Sequence, residues 1–165
     1  INFTNIILRN QSLSNDTVGT EPVIIDAIKK IKLPKKYVNV CCVYPCNPFL
    51  DSFDLRIAFS KLKKDKNSLI FPVVEYPHPI ERAYEFKNKK FIKRVSNTKK
   101  NERTQDYKRK FFDAGKFYLA SKDSWLNNKS KKKIGIITKW WNSVDIDTPE
   151  DWEKAKTIFK IFKAN

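Results

Sequence analysis

The feature that most constrains the fold is an alternation of two hydrophobic periods along the first half of the chain. Val23, Ile24, Ala27, Ile28 and Ile31 recur at helical spacing, with Thr20 suited to the N-cap and Pro22 to the first turn. Pro34 closes that helix. In residues 37–44 (YVNVCCVY) apolar side chains fill nearly every place, the mark of a strand buried on both faces. A second helix, capped by Asp51 or Ser52, carries Leu55, Ala58, Phe59 and Leu62 on its inner stripe. The next strand, 68–75 (SLIFPVVE), contains Pro72, which implies an edge position or a bulge. Helix, strand, helix and strand in succession argue for parallel strands joined by helical crossovers, an α/β sheet rather than a β sandwich.

The flanking stretches extend this plan. Ile6, Ile7 and Leu8 form a short apolar run that reads as the end of a strand. After Pro77, His78 and Pro79 the pattern changes: residues 83–86 and 90–95 read as the arms of a hairpin around Lys87, Asn88 and Lys89, set apart from the main sheet. A polar loop follows over 96–106. Gly115 permits an unusual backbone angle just before a strand at 116–120. A short helix at 121–126, a charged connector at 127–133 and a last strand at 134–138 come next. The terminal helix places Trp152, Ala155, Ile158, Phe159 and Phe162 on one inward face. At 165 residues this is the size of one domain, 1–165, with the hairpin 83–95 inserted in it.

A formal charge of +16 invites a polyanion, and a basic nucleic-acid-binding module is one reading of it. The lysine pairs, however, fall at element ends and in loops rather than on one stripe, which fits a solvated surface better. Cys41 and Cys42 lie inside a strand-like run, Cys46 follows it and His78 is the sole histidine. That set lacks the paired spacing of a structural zinc site, so buried reduced thiols are expected. No apolar run approaches membrane-spanning length, and a cytoplasmic protein is expected.

Two stretches carry candidate chemistry. In residues 144–152 (VDIDTPEDW), Asp145 and Asp147 are two apart, so an extended backbone projects them from one face at the end of a strand. Thr148 suits an N-cap, Pro149 the first helical position, and Asp151 stands where a carboxylate reaches back to the cap. Acids at a strand-to-helix turn can hold a hydrated Mg²⁺ against a nucleotide's phosphates. The plainer alternative is a solvated acidic turn with a good helix cap. In the second stretch, Arg103, Gln105 and Asp106 supply a forked cation, an amide and a carboxylate, a set suited to a polar substrate with a carboxylate and hydroxyls.

In order and spacing these stretches resemble the acylneuraminate cytidylyltransferases, most closely the branch acting on pseudaminic acid. The resemblance rests on Arg9 with Leu13-Ser14-Asn15-Asp16 and Gly19-Thr20, on Tyr44-Pro45-Cys46-Asn47-Pro48-Phe49, and on Arg103-Thr104-Gln105-Asp106. It continues through Asp113-Ala114-Gly115 with Phe117-Tyr118 to the stretch 144–152. The chain departs from the family at Cys46, where Thr is more usual, at Tyr107-Lys108 in place of Leu-Pro, and at Phe111-Phe112 in place of Tyr-His.

The resemblance implies a Rossmann-like, mainly parallel sheet flanked by helices, of the nucleotide-diphospho-sugar transferase type. It implies transfer of CMP from CTP to an acidic nine-carbon 2-keto sugar, with Mg²⁺ on Asp145 and Asp147 and Arg9 near the nucleotide. Arg103 and Gln105 would face the sugar. Asp106 and Asp113 would either join them or hold their loops by bonds to backbone amides. A homodimer through residues 83–95 is implied as well. The family opens with a strand and a glycine-rich phosphate loop that have no counterpart here, since the chain starts at Ile1 and has glycine only at 19, 115 and 135. The 165 residues alone are therefore expected to be inactive. A catalytically inactive relative serving as an interaction domain is the remaining alternative.

Overall fold

A computed structural model describes residues 6–15, 17–31, 38–87, 89–95, 103–127 and 132–162. Asp16, Pro34, Tyr37, Asn88, the first part of the 96–106 loop and most of the 127–133 connector lie outside the described residues. Helix α1 (Thr20–Lys30) has Gly19 at its N-cap, so it starts one residue earlier than a Thr20 cap predicts, and it buries Ile24 and Ile28. Strand β1 (Asn39–Val43) leads through a turn to α2 (Ser52–Lys64), where Asp51 is the cap and accepts a hydrogen bond from Phe53 N at 2.8 Å. Strand β2 (Ser68–Glu75) follows. Strands β3 (Tyr84–Phe86) and β4 (Ile92–Arg94) then pair with each other, and with no other strand among the described residues, as the inserted hairpin. Strands β5 (Phe111–Asp113) and β6 (Phe117–Ser121), helix α3 (Lys122–Asn127), strand β7 (Lys132–Ile137) and helix α4 (Pro149–Phe162) complete the order.

The expected α/β class is observed, but the sheet is mainly antiparallel rather than mainly parallel. Among the described residues only β2 and β7 pair in parallel; β1 with β6, β6 with β2 and β2 with β5 are all antiparallel. The physical reason is position, not direction. β1 and β2 do run the same way, as a helical crossover requires, but β6 lies between them and runs against both.

β5 and β6 are successive stretches along one edge of β2. Leu119 stands opposite Ile70 and Asp113 opposite Val73, so six steps of chain face three, and residues 114–116 bulge out. Ala114 N donates to Pro72 O at 3.0 Å. In a strand the N–H and C=O of one residue point to the same side, so the donor that proline lacks would have faced this bulge. The bulge is thus the alternative realised at Pro72.

Both faces of the sheet are covered. Ala58 and Leu62 of α2 pack on Ile70, Phe117, Leu119 and Ile136. On the other face Ile24 and Ile28 of α1 and Trp125 of α3 pack on Ala120. A third cluster of Phe49, Val144, Ala155 and Ile158 fixes α4 beside the turn after β1. The helices bury narrower stripes than their periodicity suggests: Phe59 stays 40% exposed, and Trp152 and Phe159 each 54%. α4 rests on the rim of that small cluster, so only Ala155 and Ile158 reach its interior.

Three further expectations are corrected. Ile6 and Leu8 form no strand and are almost wholly exposed. β1 ends the strand order and pairs only with β6 among the described residues, so Cys41 and Cys42 are half-buried rather than buried, and Cys46 is exposed. Residues 144–147 are not a strand; Ile146 N donates to Cys46 O at 3.1 Å, and no ladder continues from there among the described residues. No helix among the described residues is long and apolar enough to cross a membrane.

Candidate active site

The chain leaves β1 at Tyr44-Pro45-Cys46 and meets the segment carrying Asp145 and Asp147. Val144 is buried and Ile146 packs in the α4 cluster, and the alternating acids Asp145 and Asp147 turn to the cavity instead. Arg9, Tyr44, Pro45, Cys46, Asp145 and Asp147 line one cavity of about 410 Å³, which is large enough for a small polar ligand. The acids thus share a face as their spacing predicts, although no strand holds them, and Arg9 joins them.

Asp145 and Asp151 are shifted in opposite directions. Asp145 is pushed above the usual carboxylate range, first by burial, then by the neighbouring charge of Asp147; a bond from the Ile146 amide opposes this and Asp151 adds a further like charge. Asp151 is instead lowered, chiefly by its hydrogen bond from Thr148. Its Oδ2 accepts from Thr148 Oγ1 at 2.7 Å and Thr148 N at 3.0 Å, while Asp151 N donates to Thr148 Oγ1 at 3.2 Å. This reciprocal cap pins the start of α4, and with it the exit from the acidic segment.

Gly115 stands beside Asp145. Its φ of +62° is the left-handed conformation that the bulge needs, and a Cβ there would stand 3.4 Å from Asp145 Oδ2. Asp113 Oδ1 accepts from Gly115 N at 3.0 Å and its Oδ2 accepts from the Tyr118 hydroxyl at 2.7 Å. Burial, followed by that bond to Asp113, holds the Tyr118 phenol well above its ordinary value. Asp113 therefore makes the backbone bond that a loop-holding role entails. So does Asp106, whose Oδ2 accepts from Arg103 N at 3.2 Å.

The structure does not bring the remaining predicted residues onto the acidic cavity. Arg103 and Gln105 lie at an exposed 3-10 turn, Thr104–Asp106. Gln105 lines a separate cavity of about 360 Å³ with Glu75, Tyr76, His78, Lys108 and Arg109. Glu75 accepts from Arg109 Nε at 2.7 Å, and Lys110 pairs with Glu81. Sequence reading missed the approach of Gly115 to Asp145 and missed Thr20, whose hydroxyl bonds that of Tyr44 at the cavity edge. The only available signal was the glycine itself, which predicted the backbone angle but not what it faces.

No family model matches the chain. Two pseudaminic acid cytidylyltransferases, from Campylobacter jejuni subsp. jejuni serotypes O:2 and O:23/36, are each 28% identical to it over 160 residues, covering 93% of this chain and 68% of theirs. The likeness seen in the motifs is borne out along nearly the whole chain, as a relationship to the pseudaminic acid cytidylyltransferases.

Proposed function

We propose that this protein transfers CMP from CTP to the anomeric hydroxyl of a nine-carbon 2-keto acid sugar, pseudaminic acid or a close relative, releasing pyrophosphate. The observation that carries the reading is the convergence of Arg9, Asp145 and Asp147 on one cavity, in a chain similar to pseudaminic acid cytidylyltransferases.

In this reaction the sugar hydroxyl oxygen bonds to the α-phosphorus, the bond from that phosphorus to the β-phosphate bridge breaks, and the hydroxyl proton is taken up by a base. Asp145 is suited to accept that proton, because burial and its acidic neighbour raise its affinity for one. Arg9 on the cavity rim offsets phosphate charge. Arg103 binds the sugar carboxylate and Gln105 its hydroxyls, with Asp106 fixing their turn and Asp113 fixing the Gly115 bulge beside Asp145.

The acids fit a hard cation. Asp145 and Asp147 repel one another, a cost that a cation between them removes. Two carboxylates suit an ion that takes its other ligands from water and phosphate. When bound there, Mg²⁺ supplies charge stabilisation for the phosphate oxygens.

Glycine stands only at a helix cap, a bulge and a strand, none of them a phosphate-cradling turn, so the 165 residues alone should bind CTP weakly. The exposed Tyr84, Phe86, Ile92 and Val95 of the hairpin support a homodimer through that arm. CTP as substrate calls for the cytoplasm. The test is a ³¹P spectrum of the natural-length protein with Mg²⁺, CTP and pseudaminic acid. Appearance of a CMP-sugar diester signal with pyrophosphate is expected, and CTP left unchanged refutes the reading.

A further inference from the structure

Lys116 is among the largest fully buried side chains of the described residues, and the chemistry above does not use it. Its Nζ donates to Asp54 Oδ2 at 2.7 Å and more weakly to Thr138 Oγ1 at 3.5 Å. Thr138 Oγ1 in turn donates to the same Asp54 oxygen at 2.8 Å. All three residues are buried. Taking two charges out of water is costly, and well-packed apolar replacements of buried pairs are often as stable or more so. Stability alone is therefore a poor account of why an ion pair sits here.

Its placement gives a better one. Asp54 lies in the first turn of α2, just past the turn whose Tyr44, Pro45 and Cys46 line the acidic cavity. Lys116 ends the bulge whose Gly115 faces Asp145, and its carbonyl accepts from Tyr44 N at 3.0 Å. Thr138 follows β7, bonded through its N–H to Val73 O at 3.0 Å, and begins the segment that runs on to Asp145. One buried network thus joins the three backbone approaches to the cavity.

We infer that Lys116, through Asp54 and Thr138, is a positioning residue that fixes the Gly115 bulge against the Asp145 carboxylate, without itself touching substrate or cation. The inference rests on the reading of Asp145 and Asp147 as cation-holding groups. Groups that orient a metal's ligands from behind typically change metal affinity about 10- to 100-fold when removed.

The test is the double variant Lys116→Met with Asp54→Asn, which removes both charges and leaves an amide oxygen for Thr138. Mn²⁺ binding followed by its electron-spin signal, urea unfolding, and kcat and KM for CTP are measured on the natural-length protein. The expected result is an unchanged or raised urea midpoint, Mn²⁺ affinity weakened about 10- to 100-fold, and a fall in kcat with little change in KM. A folded double variant with wild-type Mn²⁺ affinity overturns the inference. Should the double variant not fold, Thr138→Val keeps the ion pair and loses only the hydroxyl; weaker Mn²⁺ binding supports the inference, and unchanged binding overturns it. A wild-type protein that binds no Mn²⁺ refutes the cation reading and this inference with it, whereas binding shared equally by wild type and variant refutes the inference alone.

Discussion

Gly115 and Asp145, thirty residues apart in sequence, meet so closely that a Cβ at position 115 would lie 3.4 Å from Asp145 Oδ2. The distance is ordinary contact, so the cost of a side chain comes from the backbone, where φ is +62°. An L-residue other than glycine pays about 1–2 kcal/mol in that conformation. Gly115→Ala is expected to lower unfolding stability by about this amount in urea. Gly115→Asn, which tolerates the left-handed region better, is expected to recover part of the loss. Equal stability of wild type and Gly115→Ala would show that the bulge relaxes.

Asp145→Asn separates stability from activity. Because burial and then Asp147 raise the folded pKa of Asp145, the fold favours its protonated form. The stability linked to this group is present below the unfolded pKa and lost as pH rises through the folded one. The variant, neutral at every pH, should therefore melt higher than wild type at neutral pH, with the difference closing in acid, while turnover falls. A lower melting temperature at neutral pH would contradict the raised pKa.

The cap of α4 has the opposite sign. Asp151 is held below the usual carboxylate range by Thr148 above all, so its contribution is present above the unfolded pKa and fades as pH falls through the folded one. Asp151→Asn should lower the melting temperature at neutral pH and much less in acid. Thr148→Ala, which removes the hydroxyl bonded to both ends of this cap, should cost about 0.5–2 kcal/mol.

Much of this was legible in advance where the determinants are local. The span of β2, the hairpin, the α4 cap and the shared face of Asp145 and Asp147 all follow from residues within a few places of each other. What failed depends on distant partners. β6 inserts between β1 and β2 from about eighty residues away, and nothing in the alternation of helices and strands announces it. Lys116 reads in sequence as one more surface lysine, since its partner Asp54 is 62 residues off. Trp152 and Phe159 look like core by spacing, but the cluster beneath α4 is too small to bury them.

Arg103→Ala is expected to weaken sugar binding far more than CTP binding. A guanidinium bound to a carboxylate at an exposed turn is worth about 1.5–3 kcal/mol as a hydrogen bond to a charged group. Separate titrations of the variant with sugar and with CTP check this; equal losses would assign Arg103 to the loop rather than the substrate.

The most direct test of the account is pyrophosphate release by the natural-length protein, with CTP, Mg²⁺ and pseudaminic acid, set beside the Asp145→Asn and Asp147→Asn variants. Release that requires both the sugar and Mg²⁺, and that disappears in each folded variant, is the predicted result. Release that continues in either variant, or that never depends on the sugar, would contradict the assignment of the two aspartates to CMP transfer.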